Sequence, residues 1–310
     1  MTILERAIAP TAPAYPRQGT VLALVAHARS VPSPRREAFA VGLGALGEGP
    51  GHVIVHTCHR VELYVAPAAF LGDLPALPPG GERFDDAAAA RHLISVACGL
   101  DSAVLGETQI LHQLRETIAD RQSERALDPV LDRLFGAGLR AGRIARGWLN
   151  GSPRSLADVA LDRIAKQIGP LEGRRILVVG AGRMGRLAVF AALRRGCSVA
   201  VSNRTAERAA QLAREVTGEA VPFGSTGAAP VDGVVVAIGG TWPLAPEDIA
   251  GLLERVAPVV DLSSPPAIPT NLANGLGTRF VSVDDLADDD HGPGERVRRR
   301  LETLISQTGR

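Results

Sequence analysis

The sequence has no unbroken apolar run long enough to cross a membrane, and its N-terminus lacks the charged-then-apolar order of a signal peptide. It also has only three cysteines, Cys58, Cys98 and Cys197, which are too few and too scattered to form a disulfide framework. These absences predict a soluble, cytoplasmic protein whose cysteines remain thiols.

Lysine is almost absent, because only Lys166 among the 34 basic residues is a lysine, and the formal net charge is +1. A protein that binds nucleic acid through a global positive field carries a larger excess of basic residues. Any contact with RNA must therefore be local. The length of 310 residues predicts two domains, since a single hydrophobic core rarely grows to that size.

The first part of the chain, residues 1–153, contains both strand-like and helical segments. Alternating apolar runs at 20–28, 52–57 and 61–66 predict strands, and the later residues have the composition of helices. This pattern predicts an α+β catalytic domain with helices on one face of its sheet. A segment rich in Gly, Ser and Pro at 150–155 marks the end of this domain.

The second part, residues 154–290, alternates strand and helix at the spacing of βαβ units. This predicts an α/β Rossmann-type domain with a parallel sheet. Residues 291–310 include a Gly-Pro-Gly break, after which Val297, Leu301 and Leu304 recur at helical spacing among Arg and Glu. We expect a short amphipathic C-terminal helix there.

A G-x-G-x-x-G pattern begins at residue 180, directly after a buried strand and directly before a helix. Gly180 would allow the tight turn, Gly182 would let a pyrophosphate approach the backbone, and Gly185 would let helix and strand pack closely. With the intervening Arg183 and Met184, these residues form the predicted cofactor-binding loop. The alternative is a doubly wound domain that binds no nucleotide.

The end of the next strand indicates which cofactor binds. An NAD site usually has an acidic residue there for the ribose hydroxyls. This chain instead has four polar or basic residues, Ser202, Asn203, Arg204 and Thr205. A guanidinium suits the 2′-phosphate of NADP, so the sequence predicts NADPH as the cofactor.

Cys58 lies between two strand-like segments and beside His56, His59 and Arg60. Cationic neighbours favour the thiolate, which is the reactive form, whereas a lone cysteine is often a buried, inert thiol. A metal would need ligands that one extended segment cannot bring together, so we predict no metal site. A hydride cofactor on the same chain favours the nucleophile, because cysteine chemistry combined with nicotinamide interconverts acyl groups and aldehydes.

Several segments resemble the glutamyl-tRNA reductase family. HTCHRVELY at 56–64 is similar to its T-C-N-R-x-E-x-Y signature, and RHLISVACGLDSAVLGETQILHQLRE at 91–116 is similar to a long family block. LVVGAGRMGRLA at 177–188 and SNRTAERA at 202–209 are similar to its cofactor fingerprint. The resemblance covers nearly the whole chain.

The resemblance implies an NADPH-dependent oxidoreductase that catalyses the first step of five-carbon tetrapyrrole, or porphyrin, biosynthesis. Cys58 would attack the ester that links glutamate to tRNA(Glu), and NADPH would reduce the resulting thioester to glutamate-1-semialdehyde. The implied partners are the charged tRNA and the aminotransferase that takes the semialdehyde.

The resemblance also implies roles for individual residues. His92 would be the general acid or base, and Arg60 would bind a substrate carboxylate. The other positions that match the family's substrate pocket are Thr57, Ser102, Glu107 and Gln109. The ordinary alternatives are a surface histidine at position 92 and helix caps at positions 102 and 107.

The chain departs from the family pattern at His59, where the family has Asn, and at Pro265-Pro266, where it has Pro-Arg. Family members continue into a C-terminal helical dimerisation domain, whereas this chain ends at Arg310, so we expect no dimer of the family type. Two alternatives to the reductase stay open. One is a non-catalytic or regulatory paralogue in tetrapyrrole metabolism, and the other is a reductase of another acyl or aminoacyl thioester.

Overall fold

The structure is a computed structural model, and it describes residues 21–101, 108–124, 126–148, 155–255, 257–288 and 295–308. Ser102 and Glu107 lie outside these residues, as does the predicted domain boundary at residue 153. Gln109 lies on a described helix.

The first domain is built on a four-stranded antiparallel sheet with the order β2-β3-β1-β4. Its strands are β1 (Leu22–His27), β2 (His52–His56), β3 (Arg60–Val65) and β4 (Glu82–Asp85). Every residue of β1 and β3 is buried. His27 and Arg60 are paired at the end of these central strands, next to the turn that joins β2 to β3.

Helices cover both faces of this sheet. The helix α1 (Ser33–Gly44) packs on one face, and α2 (Ala87–Ala97), α3 (Thr108–Glu124) and α4 (Pro129–Arg146) pack on the other. The α+β class is confirmed, but the expectation of helices on one face is wrong. The reason is that β1 is apolar at every position but the last, with Leu22 and Leu24 in the α1 cluster and Ala23 and Val25 in the other, and such a strand needs cover on both sides.

The second domain has a six-stranded parallel sheet with the order β10-β9-β8-β5-β6-β7. This is the Rossmann order, in which the strand sequence reverses next to the first strand, so the predicted α/β class is confirmed. The strands are β5 (Arg175–Val179), β6 (Ser198–Ser202), β7 (Glu219–Val221), β8 (Gly233–Val236), β9 (Val259–Asp261) and β10 (Phe280–Ser282). The helices are α5 (Leu156–Ile168), α6 (Arg183–Arg194), α7 (Ala206–Glu215), α8 (Pro246–Glu254) and α9 (Thr270–Leu276).

Asp158, in the first turn of α5, forms ion pairs with the C-terminal end of α6. One carboxylate oxygen accepts from the Ser155 N–H and hydroxyl, which completes a capping box at the start of α5. The other oxygen accepts from Arg194 at 2.9 Å and from Arg195 at 3.0 Å. Because α6 begins at the glycine loop, this ion-pair cluster helps to set the direction in which the N-terminus of α6 points.

The last helix, α10 (Glu295–Thr308), packs onto α2 and α4 of the first domain. Its Leu301 side chain is fully buried, and Leu304 packs against the same cluster. The Arg300 guanidinium lies 4.5 Å from the ring centroid of Trp148. The buried neighbours of Leu301 are Ile94, Cys98, Ala141 and Ala145. The predicted C-terminal helix and the seam at Leu301 and Leu304 are confirmed, while the Val297 side chain lies outside the described ones.

Replacing Leu301 with Ala should lower the free energy of unfolding by about 2–4 kcal/mol, because a fully buried side chain is removed and a cavity remains. Urea denaturation measures the loss, and hydrogen exchange of the α10 amides reports whether the helix undocks. Leu71→Ala is the matched control, because Leu71 is 99% exposed and its truncation should change stability by less than about 0.5 kcal/mol. Equal stability of the two variants would contradict the packing of α10 on the first domain.

Candidate active site

Cys58 lies in the turn that joins β2 to β3. The Thr57 N–H donates to the Arg60 carbonyl at 2.9 Å, and the Thr57 hydroxyl oxygen accepts from the His59 N–H at 3.4 Å and the Arg60 N–H at 3.3 Å. A threonine hydroxyl that accepts from the backbone in this way stabilises a tight turn. Thr57 thus shapes the turn that presents the half-buried Cys58, and its predicted place in the substrate pocket stays a prediction.

The Cys58 turn is fastened to the second domain through Arg36 of α1. The guanidinium of Arg36 is 1% exposed and donates to the Val31 carbonyl at 2.7 Å and to the Cys58 carbonyl at 2.8 Å. Its Nη2 also pairs with Asp284 Oδ1 at 2.7 Å. The other Asp284 oxygen accepts from the backbone N–H of Ser33 at the start of α1, where a carboxylate is favoured by the helix dipole. Asp284 lies just past β10, so one carboxylate links α1, the turn and the Rossmann sheet.

His59 makes the second contact between the turn and that domain. Its Nε2 lies 2.9 Å from the carbonyl oxygen of Val283, and its Nδ1 lies 3.6 Å from Cys58 Sγ. Burial lowers the pKa of His59 to about 4, more than the hydrogen bond to Val283 raises it. The imidazole is therefore neutral at pH 7.

Glu62 is the centre of a buried polar network on the α2 side of β3. Its Oε1 accepts from Arg60 and from His92 Nε2, both at 3.0 Å, and its Oε2 accepts from the Tyr64 hydroxyl at 2.7 Å. Burial alone would raise the pKa of Glu62, but the charges of His92 and Arg60 and these hydrogen bonds hold it far below its usual range. The carboxylate is thus ionised, and a buried carboxylate of this kind orients the imidazole that it binds.

Arg60 is itself engaged by protein acceptors. Besides Glu62 it pairs with Asp101 Oδ2 at 3.1 Å and donates to the Asp101 backbone carbonyl. Asp101 Oδ1 also pairs with Arg29 at 2.9 Å. A substrate carboxylate would have to replace Asp101, the more exposed partner, to reach this guanidinium, so the role predicted for Arg60 stays a prediction.

Glu62, His92 and Asp101 are a group of three potential metal ligands, with ligand atoms within 4.8 Å of one another. Arg60 already supplies a positive charge between the two carboxylates. A divalent cation would therefore have to displace a buried guanidinium, which makes the cluster a site for Arg60 rather than for a metal.

A cavity of about 670 Å³ opens beside His92. Its lining includes the side chains of His27, Arg29, Arg91, His92 and Asp101. The His92 ring stacks on Phe84, with 4.7 Å between centroids and 11° between the ring planes, which sets the plane of the imidazole. The two arginines and the imidazoles suit a ligand that carries a carboxylate.

His27, which lines this cavity, has a buried hydrogen-bond donor. Its Nδ1 lies 3.1 Å from the backbone N–H of Arg29, a group that only donates, so the proton of the neutral ring is on Nε2. Burial lowers the pKa of His27 to about 3, so the ring is neutral at pH 7. The Nε2 atom is inaccessible to solvent and has no hydrogen-bond partner among the residues that the structure describes.

The glycine loop has the geometry that a dinucleotide site requires. Gly180 has φ +123°, and a side chain there would overlap the Ala237 carbonyl oxygen, while a side chain at Gly185 would overlap the Gly180 carbonyl oxygen. No atom lies within 4 Å of a Cβ built at Gly182. Gly182 is also the N-cap of α6 and has no side chain to occupy the first N–H groups of that helix. The loop therefore fits a pyrophosphate at the helix N-terminus.

The predicted NADP-selecting residues differ in what they contact. Asn203 Oδ1 accepts from the Ala181 N–H at 3.0 Å, which ties it to the glycine loop. Arg204 is exposed and donates to the Gly239 carbonyl at 2.7 Å, and Thr205 is the N-cap residue of α7. Ser202 is buried, and its hydroxyl donates to the Pro222 carbonyl. Of the four, Arg204 is the one with an exposed charge.

The remaining two loop residues, Arg183 and Met184, contact other side chains of the protein. The Arg183 guanidinium pairs with Glu116 of α3 at 3.1 Å, an exposed contact between the domains, and Met184 packs against the core of the second domain. Both predicted cofactor roles stay predictions.

Five residues of the site received no predicted role from the sequence, namely Arg36, Glu62, Tyr64, Asp101 and Asp284. Glu62 and Tyr64 occupy the Glu and Tyr positions of the T-C-N-R-x-E-x-Y signature, and together with Arg60 they alternate polar groups along one face of a strand whose neighbours are apolar. Arg36 and Asp284 are 248 positions apart in the chain, and no local pattern links them.

Acidification should destabilise the protein through His59. The pKa is about 4 in the folded state and about 6.5 for an unperturbed imidazole, so between these values the unfolded state binds the proton more tightly. The neutral His59 therefore makes its full contribution to the free energy of unfolding above about pH 6.5. That free energy falls by about 3 kcal/mol as the pH drops to 4. Urea denaturation near neutral pH and near pH 4.5 tests this against His59→Asn, which cannot titrate. His27 remains in both proteins, so an equal loss in both would contradict the assignment to His59.

Comparisons with known proteins give two family matches. Residues 28–147 match the N-terminal domain of glutamyl-tRNA(Glu) reductase, and residues 163–288 match shikimate/quinate 5-dehydrogenase. The second match, the Rossmann strand order and the glycine loop together indicate a nicotinamide dinucleotide, NAD or NADP, as the cofactor. Within the described ranges, no helix combines the length and the apolar character needed to cross a membrane.

Individual relatives share much of the chain. Glutamyl-tRNA reductase of Rubrobacter xylanophilus is 36% identical over 260 residues, which are 76% of this chain and 61% of that protein. The Methanothermobacter thermautotrophicus protein of the same name is 34% identical over 292 residues, covering 89% and 69%. The solved structure of the Methanopyrus kandleri glutamyl-tRNA reductase has 27% identity, a TM-score of 0.47, and coverage of 93% of this chain and 78% of that one. The chain thus spans about two thirds of the length of these curated relatives, and it belongs to the glutamyl-tRNA reductase family.

Proposed function

We propose that this chain is an NADPH-dependent reductase that converts glutamyl-tRNA(Glu) to glutamate-1-semialdehyde through a thioester on Cys58, as the first step of five-carbon tetrapyrrole biosynthesis. One observation carries the proposal, namely that the Cys58 turn is joined to the segment just past β10, directly by His59 to the Val283 carbonyl and through Arg36 to Asp284. Ligands of open α/β sheets bind outside the carboxyl ends of the strands. The thiol is therefore held at the edge of the sheet at which a dinucleotide binds.

The proposal divides the chain into a catalytic domain at residues 1–153, an NADP-binding domain at 154–290 and a C-terminal helical segment at 291–310. In the first step Cys58 Sγ attacks the ester carbonyl, the bond from the carbonyl carbon to the ribose oxygen breaks, and the tRNA hydroxyl leaves. NADPH, when bound, supplies the hydride that releases the semialdehyde and frees the thiol. The product is the aldehyde that an aminotransferase would accept, which makes that enzyme the proposed partner.

His92 is the proposed general acid for the leaving ribose oxygen. Its Nε2–H is engaged by Glu62 at 3.0 Å, which leaves Nδ1, 3.9 Å from Asp101 Oδ2, to exchange a proton. The ionised Glu62 orients the imidazole through this hydrogen bond, and stacking on Phe84 keeps the ring in plane. The alternative of an ordinary surface histidine is disfavoured, because the ring is only 10% exposed and has a carboxylate partner.

The glutamyl group is proposed to bind in the cavity beside His92. Arg29 and Arg91, which line the cavity, supply positive charge for its carboxylate. Arg60 would contribute by exchanging Asp101 for the substrate, and Thr57 would act by shaping the turn. For Ser102, Glu107 and Gln109 the support is the resemblance of the 91–116 block.

Arg204 is the proposed ligand of the 2′-phosphate of NADPH. Arg204→Ala should weaken NADPH binding by about 10- to 100-fold, the range expected for a lost charge-assisted hydrogen bond, and leave NADH binding nearly unchanged. Fluorescence titration of each dinucleotide measures this without any tRNA. Arg214→Ala is the matched control, since Arg214 is an exposed arginine in the last turn of α7, the helix that follows Arg204. Equal weakening of both dinucleotides in Arg204→Ala would contradict the assignment.

Glutamyl-tRNA labelled on glutamate, mixed with the protein in the absence of NADPH, should leave label on the Cys58 peptide as a hydroxylamine-sensitive thioester. NADPH should then discharge the label as semialdehyde. Cys58→Ala should carry no label. Cys98→Ala should keep it, because burial raises the pKa of Cys98 to about 12 and makes that thiol unreactive. Absence of an acyl-enzyme from folded protein with intact Cys58 would sink the proposal and favour the non-catalytic paralogue.

A further inference from the structure

The position at which this chain departs most clearly from the family signature, His59, has both of its ring nitrogens engaged. Its Nε2 is 2.9 Å from the Val283 carbonyl oxygen, and a carbonyl oxygen only accepts. The proton of the neutral imidazole is therefore on Nε2. Nδ1 is then a bare acceptor 3.6 Å from Cys58 Sγ, so the hydrogen bond between them runs from the thiol to the imidazole.

We propose that His59 is a catalytic residue that takes the proton of the Cys58 thiol, with its tautomer set by the Val283 carbonyl of the second domain. The inference rests on the proposed function only in treating Cys58 as the nucleophile. It assigns to this chain a base at a position where the family signature has an amide, which cannot be protonated at neutral pH.

The step balances within the proposed reaction. As Sγ bonds to the ester carbonyl carbon, the S–H bond breaks and an N–H bond forms at His59 Nδ1. The ribose oxygen leaves with a proton from His92, which solvent replaces through the cavity. When the thioester is reduced and the thiolate is released, the proton on His59 returns to Sγ. The overall reaction then consumes one proton, as reduction of an ester to an aldehyde and an alcohol by NADPH requires.

The groups around His59 keep the resting ring in the neutral form, whose Nδ1 can accept a proton. Arg36 from α1 and Arg60 from β3 disfavour the imidazolium, Asp284 past β10 favours it, and burial keeps the resting ring neutral. A neutral base that accepts the proton only while the sulfur is attacking stays in the acceptor form over a wide pH range. The nearby buried imidazole of His27 is neutral as well, so it adds no positive charge beside His59 at pH 7.

The base is complete only when the two domains are docked. Val283, which orients His59, and Asp284, which pairs with the arginine on the Cys58 carbonyl, are consecutive residues of the second domain. If that segment moves away, Nε2 loses its acceptor and the imidazole is no longer held in one tautomer. Docking therefore couples the arrival of the nucleotide-binding domain to the reactivity of the thiol.

Alkylation of Cys58 by iodoacetamide, followed by mass spectrometry of its peptide from pH 5 to pH 10, tests the inference without tRNA or cofactor. Wild-type protein should react near pH 6 at least about tenfold faster than His59→Asn, and the two should converge where the thiolate forms without help. His59→Asn is the sharpest comparison, because its amide oxygen can accept from the thiol but cannot take the proton. Superimposable profiles would overturn the inference.

A second measurement uses the wild-type protein, so it tests the inference even if the His59→Asn variant does not fold. Nitrogen NMR of ¹⁵N-labelled histidine should show His59 at pH 7 as a neutral ring protonated on Nε2. A ring protonated on Nδ1, or an imidazolium, would refute the inference. The two failures are distinguishable, since a pH-profile difference without an acyl-enzyme would reject the proposed function alone, and equal profiles with a labelled Cys58 would reject the role of His59 alone.

Discussion

The buried ion pair between Arg36 and Asp284 is the interaction on which the geometry of the site depends. Arg36 is almost inaccessible to water, and a buried guanidinium without a carboxylate partner costs several kcal/mol. Two of its other acceptors belong to its own domain, the carbonyls of Val31 and Cys58, while the compensating charge comes from the second domain. Domain docking and the conformation of the Cys58 turn are therefore stabilised by one side chain, and neither can change without the other.

The turn and the strand that follows it serve two separate hydrogen-bond networks. Arg60, Glu62 and Tyr64 of β3 alternate along the strand and point toward α2, where Glu62 binds His92 beside the cavity. His59 precedes β3, in the turn, and reaches instead to the carbonyl of Val283. Adjacent residues of one short motif therefore belong to different networks. One network contains the imidazole proposed to protonate the leaving oxygen, and the other contains the imidazole proposed to take the thiol proton.

The parts of the site that follow from local sequence could be predicted, and those that depend on distant residues could not. The glycine loop, the strand before it and the helix after it are set by neighbours a few positions apart, as is the location of Cys58 between two strands. The pairing of Arg60 with Asp101 and that of Arg36 with Asp284 depend on residues that folding brings together. The hydrophobic pattern of β1 did carry the information that both faces are covered, since a strand apolar on both sides cannot face water.

The histidine at position 59 illustrates how a departure from a family signature can preserve the hydrogen bonds of a site. An asparagine side chain offers one donor and one acceptor, and so does a neutral imidazole whose tautomer is set. Either side chain can accept a hydrogen bond from the thiol. The imidazole is the longer of the two, so its Nε2 reaches the Val283 carbonyl while its Nδ1 can take up a proton. The depressed pKa of His59 follows from burial in the same interface. The interface that holds the ring neutral at rest thus also leaves its Nδ1 unprotonated, as a proton acceptor requires.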